Sequence, residues 1–214
     1  MNISQQFAPP FKLVGSFFIS AMIIFFISIL LLFNFDINLI HTQNSLVLSW
    51  VHLYLLGFVM MSIFASMAQL LPVVLEVEHF SIDLYYVVNP LLFMGTTLIF
   101  IGFYKYPMVL SYGGVIVFIS FFIFLFESFL TIKKVKKLNF LSSTVLVANI
   151  FLFLGLVVAI VLSFVYSGVL FLNIKALMLS HIYLVFVGYL GITIISMSYI
   201  LIPMFWLSHS FNNI

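Results

Sequence analysis

The sequence predicts an all-α fold, a polytopic integral membrane bundle of about six helices, and three observations carry this prediction. Hydrophobic residues make up 65% of the 214 residues and charged residues only 6%, against about 45–50% and about 25% in soluble domains. The apolar residues form continuous runs of about 20 or more, as membrane helices require, without the alternation of a β-barrel. Because no Pro- or Gly-rich linker divides the chain, we expect a single transmembrane domain over residues 1–214.

The apolar runs and the lysines together predict the topology. We expect spans at about 13–33, 46–75, 85–103, 107–131, 140–167 and 176–206. Five of the seven basic residues fall on the N-terminal side of these spans, namely Lys12, Lys133, Lys134, Lys136 and Lys137. Since positive charge concentrates on the cytoplasmic side, we expect a multi-pass protein of a bacterial inner membrane with both termini in the cytoplasm.

Composition also excludes several classes of function. The chain has no cysteine, which excludes disulfides, thiolate metal sites, iron–sulfur clusters and covalently attached c-type haem. A net charge of +2 on so apolar a chain does not suit nucleic-acid binding. The sequence holds no P-loop, dinucleotide fingerprint or nucleophile elbow, and we expect no catalysis by this chain alone.

Two segments of the chain align without a gap at an offset of 131 residues. Gly57 matches Gly188 and Pro72 matches Pro203. The aligned stretches read Trp50-Val-His52-Leu-Tyr-Leu-Leu-Gly57-Phe58 and His181-Ile-Tyr183-Leu-Val-Phe-Val-Gly188-Tyr189. This internal repeat lies on spans two and six, which run parallel, and it suggests repeat halves at 1–104 and 105–214.

Each aligned segment carries a histidine toward the outer leaflet, at His52 and His181. Ionisable side chains inside a membrane are costly and mark functional sites. Trp50 and Tyr183 stand two residues from these histidines, or about 200° around the helix. Equivalent helix faces would therefore pair His52 with Tyr183, and a haem between the two histidines needs one helix to turn by half a turn. The alternatives are histidines bonded to neighbouring polar groups and aromatic residues that anchor the membrane interface.

At these residues the sequence resembles the haem–copper oxidase subunit I superfamily. In that family an early helix carries a haem-ligating histidine near the periplasmic face, and a later parallel helix carries His-x-His-Leu followed by Gly and an aromatic residue. The segment from His52 to Phe58 is similar to the first motif, and the segment from His181 to Tyr189 is similar to the second. The resemblance implies His52 and His181 as iron ligands of a b-type haem, with Trp50 and Tyr183 in its pocket.

Three departures from the family pattern limit what the resemblance implies. Tyr183 stands where the family has its second histidine, which faces the first across the low-spin haem. Spans three to five contain no histidine, so no copper centre is expected. The chain also lacks arginine, the residue that holds the haem propionates in the family. Whether the chain keeps a haem is therefore left open.

Two functions follow from these expectations. The first is an accessory subunit of a bacterial respiratory enzyme, in which an oxidase-like scaffold docks a periplasmic reductase. In size and helix number the chain resembles the NosB-like membrane proteins associated with clade II nitrous oxide reductases, which implies a place in denitrification. The alternative is a haem b electron-transfer subunit between quinol and a periplasmic acceptor. We expect lipid and either another subunit or a second copy as partners.

The acidic residues offer little for a third function, a small-molecule transporter, which needs charge at mid-membrane. Glu127 is the only acid inside an apolar run, and it precedes Lys133 by about one and a half turns. We expect it to reach the cytoplasmic surface, with a proton relay as the alternative. Glu76, Glu78, His79 and Asp83 predict a solvated loop, with a metal site as the alternative, while His41 and His209 fall in an outer loop and a terminal tail.

Overall fold

The computed structural model describes residues 7–36 and 44–206, so His41 and His209 lie outside the described residues. Over those two ranges the regular structure is helical, and no strand occurs. The predicted class is confirmed, because six helices are long and apolar enough to cross a membrane. They are α1 (Phe11–Leu32), α2 (Ser45–Leu75), α3 (Asp83–Tyr104), α4 (Val109–Ile132), α5 (Phe140–Tyr166) and α6 (Ile174–Phe205).

Local sequence fixes where three of these helices begin. Asn44, Asn139 and Asn173 precede α2, α5 and α6, and each side chain accepts a hydrogen bond from a backbone N–H of the first turn. These bonds satisfy donors that a helix start leaves without a partner. At the other end of α2, Glu76 adopts a left-handed conformation with φ 55°, which ends the helix and turns the chain back toward the bundle.

The helices pack in chain order, each against its neighbours along the sequence, and α6 packs chiefly against α5. As a result α6 is the least buried of the six spans. The loops fall at two ends, which we call the lysine-rich end (residues 76–82 and 133–139) and the opposite end (residues 105–108 and 167–173). Aromatic rings fill the core between α2 and α4, where Phe64 stacks on Phe124 with ring centroids 3.8 Å apart.

Helices α2 and α6 share an unusual internal architecture. Each begins as an α-helix, widens into a π-helical segment at Leu53–Met60 or Tyr183–Gly191, and returns to an α-helix. At the offset of 131 residues found in the sequence, these two wide segments coincide to within one residue. Since π-helical segments are rare and occur often at functional sites, their shared position gives the internal repeat a structural counterpart.

Gly57 and Gly188 let these wide segments approach a neighbouring helix. A Cβ at Gly57 would lie 2.5 Å from the Ile24 side chain of α1, and one at Gly188 would lie 2.5 Å from the Phe151 side chain of α5. Both glycines therefore stand at close helix contacts, as small residues commonly do in membranes. The pairs α1–α2 and α5–α6 use the same position of the repeat for this purpose.

Substituting these glycines gives a first prediction. We expect Gly57→Ala and Gly188→Ala each to lower the free energy of unfolding by about 1–3 kcal/mol, because the added methyl overfills a packed contact. Gly15→Ala is the matched control, since its Cβ would meet only the Phe11 ring at an ordinary 3.7 Å. Unfolding in mixed micelles under increasing denaturant measures all three. Equal stabilities of the three variants would contradict the packing described.

Candidate functional site: a cavity between two histidines

A long apolar cavity lies between α2 and α6, closed from behind by α3, α4 and α5. Its volume is about 210 Å³. Along α2 it extends from Leu48 to Met60, at most about 18 Å at the rise of an α-helix, so the cavity is narrow for its length. Leu, Ile, Val and Phe side chains supply most of the lining, and the polar members are His52, His181, Ser163 and Tyr166.

His52 lies on the α2 wall of this cavity. It is the last residue of the α-helical Ser45–His52 segment, immediately before the wide segment. Its Nδ1 donates to the carbonyl of Leu48, one turn earlier, at 2.8 Å, and its ring lies against Phe103 with centroids 4.9 Å apart. Because a carbonyl only accepts, the proton must sit on Nδ1, and Nε2 keeps its lone pair.

His181 lies on the α6 wall, and its ring is arranged in the same way. Its Nδ1 donates to the carbonyl of Gly155 in α5 at 3.1 Å. The missing side chain of Gly155 is what lets α6 come so close, since a Cβ there would lie 2.8 Å from Val185. The carbonyl again fixes the proton on Nδ1 and leaves the lone pair on Nε2.

The two histidines also lie at matching depth. Each is seven residues beyond the first residue of its helix, Ser45 or Ile174, or about 10 Å along the helix from the opposite end of the bundle. Parallel helices with ligands at one depth can hold a single group from its two faces. An imidazole that donates Nδ1–H to a backbone carbonyl is the usual state of a histidine that binds metal through Nε2.

The other two residues predicted for this pocket lie elsewhere. Trp50 faces α1, where its Nε1 donates to the carbonyl of Ser28 at 2.9 Å, and it stacks on Tyr54. The side chain of Tyr183 is 60% exposed on the outer surface of α6. The expected pairing of His52 with Tyr183 through equivalent helix faces was wrong, because α2 and α6 turn non-equivalent faces toward the cavity. A step of two residues, about 200°, therefore carries Trp50 and Tyr183 away from it.

A second polar site, at the lysine-rich end, was not anticipated. Glu127 of α4 is completely buried and does not reach the surface as expected. Its Oε1 accepts hydrogen bonds from His79 Nδ1 at 2.9 Å, Thr131 Oγ1 at 2.7 Å and the Phe80 backbone N–H at 3.2 Å. The helix context misled the sequence interpretation, because the loop after Glu76 folds inward and covers the carboxylate.

The protons of this site can be assigned from its bonds. His79 Nε2 lies 2.8 Å from the carbonyl of Ala68, which only accepts, so this nitrogen carries a proton. Its Nδ1 faces an oxygen that already accepts two other hydrogen bonds, so it also carries one. His79 is therefore an imidazolium paired with the Glu127 carboxylate in the interior, and Lys134 fixes the loop by donating to the carbonyls of Glu78 and His79 at 3.1 and 2.7 Å.

The remaining expectations for this loop divide. Glu76, Glu78 and Asp83 are exposed, as a solvated loop requires. His79 is not, since its side chain is only 6% exposed. Among the residues that the structure describes, no three His, Cys, Asp or Glu side chains group as a metal site would need.

Comparison with known proteins adds no family to this picture. No protein-family model, curated protein or solved structure matches the chain. The relation to the haem–copper oxidase superfamily, drawn from the residues around His52 and His181, stays a prediction.

Proposed function

We propose that the protein is a membrane electron-transfer subunit that binds one b-type haem, with His52 and His181 as the axial ligands of its iron. One observation carries the proposal: two parallel helices present histidines at equal depth to a single apolar cavity, each with Nδ1 bonded to a carbonyl. Axial ligation by histidine is a common means of holding haem iron. The orientation of both rings leaves the nitrogen that binds iron available.

The rest of the cavity suits the same group. A flat ring seen edge-on matches a long, narrow apolar slot better than a globular ligand does, and burial of its faces against Leu, Val and Phe side chains is favourable. Tyr166, in the last turn of α5, is the polar residue nearest the opposite end of the cavity. Since the chain has no arginine, this hydroxyl and the membrane surface would receive the propionates.

When bound, the haem supplies one-electron redox chemistry, and the chain supplies ligation, burial and position. Two histidine ligands leave no iron site for a substrate, which suits electron transfer rather than catalysis on the iron. We place the haem toward the periplasmic side, because the positive-inside rule puts the lysine-rich end in the cytoplasm. A respiratory donor and a periplasmic acceptor are then the natural partners.

Optical spectra of the detergent-purified protein, produced with haem available, test the proposal. We expect a b-type band in the reduced-minus-oxidised spectrum and no further change when carbon monoxide is added, because both axial positions are taken. Binding of carbon monoxide to the wild type would contradict ligation by two histidines. Absence of haem would reject the proposal and favour the accessory role predicted from the sequence, a scaffold that docks a periplasmic reductase such as nitrous oxide reductase.

A further inference from the structure

The buried Glu127 carboxylate has one oxygen that its neighbours do not use. While Oε1 accepts three hydrogen bonds, Oε2 is fully buried and has no hydrogen-bond partner. The hydroxyl of Tyr85, on α3, lies next to the carboxylate and is likewise without a partner. Buried polar atoms are almost always hydrogen-bonded, so two adjacent ones without partners call for a functional explanation.

More buried polar atoms of this kind continue toward the cavity. Tyr189 of α6 is fully buried with an unpartnered hydroxyl, and it lies within electrostatic range of Tyr85. The next residue, Leu190, lines the cavity. Thr193 of α6 and Asn149 of α5 each have one further unpartnered oxygen, and Asn149 donates to Ser128, the neighbour of Glu127, at 2.9 Å.

We propose that Glu127, with His79 and Tyr85, forms a proton-binding site that loads from the lysine-rich end and serves the cavity between His52 and His181. A proton taken from the aqueous phase at that end binds Oε2, which forms an O–H group that can donate toward Tyr85. His79 stays protonated throughout, held by Ala68 and by Oε1. The redox half of this proposal rests on the haem function proposed above.

The charge balance gives the site its role. When an external one-electron donor, such as a reduced mediator dye, reduces the haem iron by one electron, the interior gains one negative charge. Uptake of one proton at Glu127 compensates that charge across a low-dielectric interior, where charges interact strongly. Oxidation of the iron returns the electron to the mediator and releases the proton to the same aqueous phase.

Few other titratable groups face this site. His79 and the exposed Glu78 come from the loop, Tyr85 from α3 and Tyr189 from α6, while α2 contributes only the carbonyl of Ala68. Lys134 is the nearest cation, and it is bound to loop carbonyls. Of the five acids in the chain, Glu127 is the one that is buried, and Asp36, Glu76, Glu78 and Asp83 are exposed, so a buried carboxyl signal has one source in the protein.

Infrared difference spectroscopy tests the proposal on the whole protein in proteoliposomes. On reduction we expect a C=O stretching band of a protonated carboxyl, shifted in deuterated water, absent in Glu127→Gln and displaced in Tyr85→Phe. Glu78→Gln, which alters an exposed neighbour on the same loop, is the control that keeps the band. The midpoint potential should fall as pH rises, and Glu127→Gln should reduce that slope by at least half.

The two proposals fail in distinguishable ways. If haem is bound and the carboxyl band persists in Glu127→Gln, or the slope is unchanged, the proton-site proposal is overturned while the haem function stands. If no haem is bound, a pH step replaces reduction as the trigger. A buried-carboxyl band that Glu127→Gln removes then supports the proton site, and its absence overturns it.

Discussion

Replacing His52 or His181 by glycine is expected to lower the haem content of the purified protein at least ten-fold. Loss of a residue that only supports a metal ligand costs about 10–100-fold in metal affinity, and loss of the ligand itself should cost no less. Any haem that remains would be five-coordinate and open to carbon monoxide. Haem content per chain and the carbon monoxide difference spectrum measure both effects.

Two matched controls lie two residues from these histidines on the same helices. Trp50→Phe removes the bond to Ser28 on the α1 side, and Tyr183→Phe removes a hydroxyl on the exposed face of α6. Neither should change haem content. Added imidazole should restore haem to the glycine variants, because it refills the space of the lost ring in a folded protein. Equal loss of haem in the controls and the histidine variants would show that the cavity is not the binding site.

Replacing His79 by alanine is expected to destabilise the protein by about 3–5 kcal/mol, the usual cost of removing one member of a buried ion pair. The Glu127 carboxylate would stay completely buried without its cation, and the loop would lose its bond to Ala68. Unfolding in mixed micelles under denaturant gives the free energy. Since most of this cost comes from the stranded charge, His79→Ala combined with Glu127→Gln should be more stable than His79→Ala alone.

Glu78→Ala is the control for this second prediction. The residue precedes His79 on the same loop, but its side chain is exposed, and exposed charges contribute about 0–1 kcal/mol. A destabilisation by His79→Ala no larger than that of Glu78→Ala would contradict the buried ion pair.

The transmembrane helices could be predicted from the sequence because membrane spans are set by one variable, the length of an apolar run. Each predicted bound falls within two residues of the observed helix, and the asparagine caps account for three of the starts. The wide segments at Leu53–Met60 and Tyr183–Gly191 could not be predicted. A π-helical turn leaves no periodicity distinct from an α-helix in a run that is apolar on every side, although the paired glycines at the same offset were a visible trace of it.

The candidate site was predictable in its histidines but not in its surroundings. His52 and His181 stood out because ionisable residues are rare in membrane helices. Which helix faces meet depends on packing between α2, α5 and α6, and local spacing carries no information on it, so Trp50 and Tyr183 were placed wrongly. Glu127 was misjudged for a related reason. Its burial depends on a loop that folds back from Glu76, more than 40 residues earlier in the chain.

Haem stoichiometry tests the central claim most directly. Protein produced with haem available is purified, and its haem is measured as the pyridine haemochromogen against the protein concentration. We predict about one non-covalently bound b-type haem per chain, lost together with His52 or His181. A wild-type protein that is folded, monodisperse and free of haem under these conditions would contradict the account.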